Sequence, residues 1–282
     1  MKNILNDVSE TALITLRSRV VASQMEHPII QDDMGAQVLR KIRALIPEET
    51  QKRLLDSKVP AMLVNHIAIR ARKYDLYTKE FLDRNPDGLV VSLGCGLDTR
   101  YWRISDRDWK YVEVDLPEVV IAKKEILGEQ LNYPVIGCSV LDDTWVKEIL
   151  AIQHENILFI AEGLFMYLPQ KEVEEIFKKL SEIFSRSQIV FEVIIKKYTT
   201  GFWKKLVETK MKRQLSTAAG SSYQFGVENA AEVETYGDNI KVVEEWSYFE
   251  DEDIKPKIYG LFKNFKFLAR TQWTIYAMIG WE

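Results

Sequence analysis

The sequence predicts a doubly wound α/β fold, in which helices cover both faces of a largely parallel sheet. Short apolar runs typical of buried strands alternate with longer stretches of helical periodicity. The first such run, 89–93, is followed by a turn that contains Gly94 and Gly96, and the second run ends in Asp115. An acid about 20 positions after a glycine turn is typical of the ligand crevice at the carboxyl ends of parallel strands.

Length and composition favour one large α/β domain with additions. The chain has 282 residues, of which 46% are apolar, and its formal net charge is −4. We therefore expect a substantial core and no nucleic-acid partner. No apolar run is long enough to span a membrane, and Asp7 and Glu10 interrupt the N-terminal segment, so we expect neither a membrane partner nor a signal peptide.

The cysteines and histidines indicate the redox state and the metal binding that we expect of the chain. Cys95 and Cys138 are isolated, which favours a reduced, cytoplasmic protein with two free thiols. The three histidines are also isolated, so no metal-ligand spacing is present and we expect no metal site. The composition indicates no particular oligomeric state.

Three stretches of helical periodicity precede the first predicted strand. They are the segments 9–23, 34–46 and 60–82. Pro60 stands where a proline favours the first turn of a helix. Because these stretches come before the sheet, we expect an N-terminal helical cap, residues 1–84, over one end of it. Residues 85–282 then form the sheet domain.

Six further strands are predicted after the first, so the sheet has seven. They lie at 110–115, 135–138, 157–161, 188–195, 241–247 and 269–280. Helices are predicted from Asp98, at 117–127, at 170–184 and at 251–262. The segment 196–239 begins as a basic helix and continues in small polar residues, so we expect a lid inserted after the fifth strand.

The glycine turn does not fit a dinucleotide. The fingerprint of such sites needs a third glycine where this chain has Thr99, and Asp98 places a carboxylate where a pyrophosphate would be repelled. A ligand with a cationic sulfonium and no phosphate suits this turn better, and S-adenosylmethionine is such a ligand. Gly94 and Gly96 would let it approach the backbone. Asp115 can accept both ribose hydroxyls, although it can instead simply cap the following helix.

Three motifs resemble the leucine carboxyl methyltransferase family, which includes the tetracenomycin-type polyketide O-methyltransferases. They are VSLGCGLDTR at 91–100, EVDLP at 113–117 and AEGLFMYLP at 161–169. The motifs occur in the family's order, and the similarity is good over residues 9–195 and weak beyond. This resemblance implies a Rossmann-like methyltransferase sheet of seven strands closed by an antiparallel hairpin, a cap that closes over the cofactor, and S-adenosylmethionine as that cofactor.

The resemblance also assigns roles to single residues. Arg70 matches the family arginine that pairs with the carboxylate of the cofactor, for which a planar guanidinium is well suited. The alternative for Arg70 is a solvated position with a local ion pair, for example to Asp75. Glu162 ends the fourth predicted strand and is expected to bind the methionine amine or adjacent polar groups, although it can also be a loop or capping acid.

Adenine recognition departs from the family pattern. The Asp-Leu pair that one branch of the family carries after the third strand is replaced here by Ser139 and Val140. Ser139 or the nearby Asp142 could therefore accept the adenine amine, and Asp142 could instead cap the next helix.

The resemblance implies methyl transfer from S-adenosylmethionine to a carboxylate or hydroxyl of a small molecule. A carboxylate is ionised at neutral pH and needs no base, whereas a hydroxyl acceptor needs one. His66 lies one helical turn from Arg70 and is a candidate base, with a packed cap histidine as the alternative. Tyr167 is the second catalytic candidate, expected mainly to shape the cavity. Two other functions stay open, namely methylation of a protein C-terminus and cofactor binding without catalysis.

Overall fold

The computed structural model describes residues 10–215 and 222–281. Four helices precede the sheet, and they are α1 Glu10–Ser23, α2 Asp33–Leu45, α3 Glu48–Leu54 and α4 Ala61–Arg84. α2 begins where the Asp32 side chain accepts a hydrogen bond from the Gly35 N–H, and α4 begins directly after Pro60. The three expected helices are confirmed, whereas the short α3 was not predicted.

The sheet has seven strands, as the sequence predicts. They are β1 Leu89–Leu93, β2 Lys110–Asp115, β3 Val135–Gly137, β4 Ile157–Ala161, β5 Ser187–Ile194, β6 Ile240–Trp246 and β7 Gln272–Ile279. Their order is β3-β2-β1-β4-β5-β7-β6, with β1 to β5 parallel and β7 antiparallel to both of its neighbours. The predicted doubly wound sheet with a closing antiparallel hairpin is therefore confirmed.

The register of the parallel strands aligns their carboxyl ends. Leu93 of β1 is level with Val114 of β2, and Ala161 of β4 is level with Phe191 of β5. Because neighbouring strands lie about 4.8 Å apart, the polar residues at these ends form one row along the edge of the sheet. From β2 through β1 and β4 to β5, the row is Asp115, Gly94, Glu162 and Glu192.

Helices pack on both faces of the sheet. The later ones are α5 Arg100–Arg103, α6 Pro117–Leu127, α7 Thr144–Leu150, α8 Gln170–Ile183, α9 Gly201–Leu215 and α10 Lys266–Ala269. On one face α8 contributes Phe177 to a core that contains Phe159 and Phe191. On the other face α4 contributes Tyr77 and Phe81 to a second core against β1, β4 and β5. α4 thus packs against this second face of the sheet, and its inward-facing residues extend to the carboxyl edge of the sheet.

Two predicted elements differ from the structure. The helix expected at 251–262 is replaced by two 3-10 segments, Tyr248–Glu250 and Lys257–Asn264, because Pro256 lies between them and cannot donate a helical hydrogen bond. The last strand begins at Gln272 because Lys266–Ala269 forms α10.

The segment predicted as a lid, 196–239, contains a 3-10 turn at Lys196–Thr199, then α9, and a 3-10 helix at Ala230–Thr235. Residues 216–221 of this segment lie outside the described residues. After them the chain returns to the carboxyl edge, where the Gln224 N–H donates to the Met166 carbonyl at 2.8 Å. None of the helices in the described part of the chain combines the length and apolarity needed to cross a membrane.

Candidate active site

A cavity of about 550 Å³ opens at the carboxyl edge of the sheet. Its floor is the turn after β1, and its walls come from α1, α4, the loop after β4 and the end of β5. Seven of the nine residues that the sequence proposes for the site line it, and they are His66, Arg70, Gly94, Gly96, Asp115, Glu162 and Tyr167. The volume falls within the range typical of small-molecule and cofactor sites.

The glycine turn is built for close contact. Gly94 and Gly96 have φ angles of 64° and 52°, which favour glycine. A Cβ at Gly94 would also lie 2.8 Å from a methyl carbon of Leu164. The Gly96 N–H donates to one Asp115 oxygen at 2.6 Å, and the Leu116 N–H donates to the other at 2.8 Å. Asp115 therefore braces the glycine turn on the floor of the cavity, and α6 begins after Leu116 with no side-chain cap.

Arg70 lies between two carboxylates that come from different strands. Its Nε donates to Glu162 at 2.9 Å, and its Nη1 donates to Glu192 at 2.8 Å. The alternative pairing with Asp75 is not observed, because Asp75 accepts from Arg100 and Arg103. Arg70 therefore faces the cavity from α4 and is held there by β4 and β5.

Glu162 is a buried partner of two arginines and not a loop or capping acid. Besides the bond from Arg70, it accepts a hydrogen bond from Arg100 Nη2 at 2.5 Å. Burial acts to raise the pKa of Glu162, but Arg70 and Arg100 outweigh burial and lower the pKa. Glu162 is therefore a stable carboxylate at the end of β4.

The carboxylate of Asp98 is not a bare charge, and in this respect the sequence argument was wrong. Arg103 Nη1 donates to it at 2.9 Å. Arg100 Nη1 lies 2.8 Å from its other oxygen, in an ionic contact without hydrogen-bond geometry. Burial works against the charge on Asp98, yet Arg100 and Arg103 hold its pKa well below the usual range. Since the negative charge of Asp98 is compensated, only Thr99, at the position of the third glycine of a dinucleotide site, disfavours a pyrophosphate.

The ion pairs continue from the glycine turn into α1. Arg19 on α1 donates to Asp32 at 2.8 Å and to the Leu97 carbonyl at 2.8 Å. Asp32 also accepts from the Thr99 hydroxyl at 2.6 Å. One connected set of buried charges thus ties α1, α2, the glycine turn, α4 and the ends of β4 and β5 together.

His66 and Tyr167 line the side of the cavity nearest β5. The His66 Nε2 lies 3.9 Å from Glu192, but burial and the nearby Arg70 lower the pKa of His66 to about 3, so the ring is neutral and this contact is not an ion pair. Burial raises the pKa of Tyr167 to about 12. Its ring lies 5.7 Å from that of Tyr223, which returns from the predicted lid segment and also lines the cavity.

Ser139 does not line the cavity. Its N–H donates to Asp142 at 3.2 Å, and its hydroxyl accepts from the Leu141 N–H at 3.2 Å, so both polar groups serve the turn after β3. Asp142 does not cap α7, which begins after Asp143. A role of either residue in adenine binding stays a prediction.

Several buried ionic residues of this region were not predicted from the sequence, and Glu192 and Lys123 are two of them. Glu192 lines the cavity with a side chain that is 3% exposed, and it accepts from Gln272 at 2.7 Å. It follows an apolar run in β5 as Glu162 follows one in β4, so the same argument could have found it. Lys123 on α6 forms a pair with Glu113 at 2.6 Å, with both side chains 1% exposed, and donates to the Asp98 carbonyl at 2.9 Å.

Within residues 10–215 and 222–281, no cluster of three or more His, Cys, Asp or Glu side chains is arranged to hold a metal ion.

A family model described as leucine carboxyl methyltransferase matches residues 12–181 of the chain.

Two relatives and one solved structure complete the comparison. The tetracenomycin polyketide synthesis O-methyltransferase of Streptomyces glaucescens is 27% identical over 247 residues, which cover 87% of this chain and 85% of that protein. An S-adenosyl-L-methionine-dependent methyltransferase of Gibberella zeae is 27% identical over 201 residues, 68% of this chain and 66% of that protein. A DUF574 family protein from Streptomyces avermitilis shares the fold, with a TM-score of 0.57 at 10% identity over 98% of this chain and 99% of that one.

Proposed function

Because the chain belongs to the leucine carboxyl methyltransferase family, it is an S-adenosylmethionine-dependent O-methyltransferase, and we propose that its acceptor is the carboxylate of a small molecule. The observation that carries the assignment of the cofactor site is the meeting of the three family motifs at one cavity. Gly94 from the first motif, Asp115 from the second and Glu162 from the third all line it.

The residues of the cavity fit this cofactor. The missing Cβ of Gly94 leaves room that a side chain would fill, and Asp115 offers carboxylate oxygens to ribose hydroxyls beside that turn. We propose that Arg70 binds the methionine carboxylate and that Glu162 accepts a hydrogen bond from the methionine amine. The methionine carboxylate would replace, or share Arg70 with, one of the two carboxylates that Arg70 contacts now. The bound cofactor supplies an electrophilic methyl group on a sulfonium. The protein has to hold the acceptor oxygen in line with that group and exclude water.

A carboxylate acceptor suits the protonation states at the β5 side of the cavity. Such an acceptor has a pKa of about 4, is ionised at neutral pH and needs no base. With a pKa of about 3, His66 is a weak proton acceptor, and with a pKa of about 12, Tyr167 stays protonated. We propose that both shape the acceptor cavity. Tyr167 and Tyr223 offer ring surface that suits a polyketide-like aromatic acid, in line with the name of the Streptomyces glaucescens relative.

A hydroxyl acceptor is the second candidate, and Glu192 favours it. This carboxylate lines the cavity, and burial raises its pKa above the usual value of a glutamate, which makes it a better proton acceptor. Transfer to a phenol would then need Glu192 to accept the phenolic proton.

The decisive experiment uses methyl-labelled S-adenosylmethionine and matched aromatic acids and phenols. We expect label to enter the acid as an ester that mild alkali releases as methanol. An alkali-stable ether formed only from the phenol would overturn the carboxylate proposal and establish the hydroxyl acceptor. Label that stays with a protein fraction, and is competed by a C-terminal peptide, would identify protein methylation. Cofactor binding without release to any acceptor class would identify a non-catalytic binding protein.

We also propose a cytoplasmic location and a lid role for 196–239. The location is supported by Cys95 and Cys138, which are free. The lid role is supported by Tyr223, which reaches the cavity from this segment. The expectation of no nucleic-acid partner rests on the net charge of −4 and stays a prediction.

A further inference from the structure

Two short segments carry a large share of the exposed apolar side chains. They are 196–206, which leads into α9, and 255–267, which precedes β7. Among the described residues, seven of the eighteen large apolar side chains that are exposed lie in these segments, with exposed fractions of 47% to 73%. They include every exposed phenylalanine and tryptophan of the described part of the chain, namely Phe202, Trp203, Phe265 and Phe267. Single exposed apolar residues are ordinary, but a group of them marks an interaction site.

The two segments adjoin each other at Tyr248. Burial raises the pKa of Tyr248 to about 12, and Glu192 adds to this rise, as do Tyr259 and Tyr198, one from each segment. The ring of Tyr248 also lies 4.2 Å from that of His66, which lines the cavity. No residue of the two segments lines the cavity itself. We call residues 196–206 and 255–267 together the lysine–aromatic surface.

The 3-10 helix Lys257–Asn264 has apolar residues on two faces, and one of these faces is exposed. Tyr259 and Phe262 stack with their ring centroids 5.3 Å apart and pack against Phe249. Ile258 and Leu261 share the other face, because residues three apart eclipse each other in a 3-10 helix. Both are more than half exposed, so the inner face of this helix already has a partner and the outer face has none among the described residues.

The lysine–aromatic surface is rich in lysine. Its two segments contain eight lysines and no acid, in a chain whose formal net charge is −4. Among the described residues, only Lys196 of the eight forms an ion pair, with Glu232 at 2.9 Å. The other seven are Lys197, Lys204, Lys205, Lys255, Lys257, Lys263 and Lys266.

The acids around the second segment pair with arginines and not with these lysines. Asp251 and Asp253 pair with Arg72, at 2.7 Å each. Glu245 and Glu250 pair with Arg270, at 2.9 and 3.2 Å. The lysines of the surface are therefore left to a partner of negative charge.

We propose that the lysine–aromatic surface binds the surface of an anionic phospholipid bilayer, with its exposed rings in the interfacial layer and its lysines at the lipid phosphates. This composition is typical of protein segments that lie in the plane of a membrane interface. Lysine stems can run beside apolar groups and carry their ammonium groups to the phosphates. A second copy of the chain is disfavoured as the occupant, because two such surfaces would bring lysines opposite lysines.

The proposal goes beyond the proposed function and does not depend on it. An interfacial site needs no helix that crosses the bilayer, so it agrees with the absence of such a helix from the described residues. It replaces the expectation from the sequence that the protein has no membrane partner.

The test is co-sedimentation of the full chain with vesicles, without cofactor. One set of vesicles is phosphatidylcholine alone, and the other is phosphatidylcholine and phosphatidylglycerol in equal parts. We expect binding to the anionic vesicles that weakens as salt is raised, because salt screens the lysines. Phe202→Ser with Phe267→Ser should weaken this binding by about tenfold or more, since both rings are mostly exposed. Lys205→Gln with Lys263→Gln should also weaken it by about tenfold or more.

Matched control variants lie on α6 and α7, which belong to the other half of the sheet. Ile121→Ser with Leu150→Ser removes two apolar side chains that are similarly exposed. Lys124→Gln with Lys147→Gln removes two exposed lysines. Both controls should bind the anionic vesicles within about threefold of wild type. All four double variants should keep the melting temperature of wild type, because the replaced side chains are exposed.

Four outcomes would overturn the proposal. Equal binding of wild type to both kinds of vesicle, or binding that salt does not weaken, would show that the lysines do not recognise anionic lipid, and this result needs no variant. Segment variants that bind like wild type, or lose no more than the controls, would show that another surface is responsible. Absence of binding to either kind of vesicle would exclude the bilayer and leave an acidic protein as the partner of this surface.

Discussion

Lys123→Met is expected to destabilise the fold strongly, although Lys123 does not line the cavity. The Nζ of Lys123 donates to both oxygens of Glu113, at 2.7 and 2.6 Å, and to the Asp98 carbonyl at 2.9 Å. Both side chains of the pair are 1% exposed. Methionine preserves most of the volume of the side chain, so the loss is electrostatic and leaves a carboxylate buried without a cation.

Breaking a buried pair in this way costs about 3–5 kcal/mol, because the remaining charge keeps its desolvation penalty and loses its partner. We expect that loss in the free energy of unfolding measured by urea denaturation with an unchanged m value. The double variant Glu113→Gln, Lys123→Met removes both charges and still offers an oxygen to the Tyr111 hydroxyl, which donates to Glu113 at 3.1 Å. It should recover most of the lost stability.

The stabilities of the single and double variants distinguish a stranded charge on Glu113 from the loss of the bond to the Asp98 carbonyl. If Lys123→Met lies within about 1 kcal/mol of wild type, the pair is not held as the structure shows and the reasoning fails. If the double variant is as unstable as the single one, the lost bond to the Asp98 carbonyl, and not the stranded charge, is the cause. In that case the glycine turn itself depends on Lys123, and cofactor affinity should fall in parallel.

Three further predictions follow from the site. Asp115→Ala should weaken S-adenosylhomocysteine binding by about ten- to hundredfold, since a hydrogen bond to a charged acceptor is worth about 1.5–3 kcal/mol. Unchanged affinity with a lower melting temperature would mean that Asp115 only braces Gly96. The pKa of His66 is about 3 in the folded state, which is lower than the value in the unfolded chain, about 6.5. The contribution of the neutral ring to stability is therefore fully present above about pH 6.5 and is lost as the pH falls toward 3, because only the unfolded chain takes up the proton. At pH 5 wild-type protein should lose up to ~2 kcal/mol relative to His66→Gln, and parallel pH–stability curves would contradict a neutral buried ring. S-adenosylhomocysteine at about 100 times its Kd should raise stability by about 2.7 kcal/mol, whereas a melting shift with NAD alone would contradict the cofactor assignment.

Much of the fold is readable from local pattern. β1 is mostly apolar and β4 is a continuous apolar run, because both faces of a central parallel strand are covered. Glu162 directly follows one such run, and an acid there had to find a partner. Pro117 begins α6 as expected, since a proline lacks only a donor that the first turn does not use.

The ion-pair partners of the charged residues could not be predicted from the sequence in the same way. Arg100 is fully buried, yet in the sequence it resembles any polar residue at the start of a helix. Its burial depends on Asp75 from α4 and Glu162 from β4, which lie far away in the chain. The same holds for Asp98, because Arg100 and Arg103 approach its carboxylate only in the folded structure. The hydrophobic periodicity of a helix or strand indicates which of its faces is apolar. It does not indicate which helices and strands bring opposite charges together in the fold.

The sheet is poorly suited to pairing with a second sheet. β3, at one edge, has only three residues. β6, at the other edge, has an irregularity between Val242 and Glu244 and carries charged residues along its length. Short, broken and charged edges discourage the strand addition that leads to aggregation. At the concentrations needed for calorimetry, any association between copies of this protein should therefore involve its helices and loops, and should leave the backbone hydrogen bonding of the sheet unchanged.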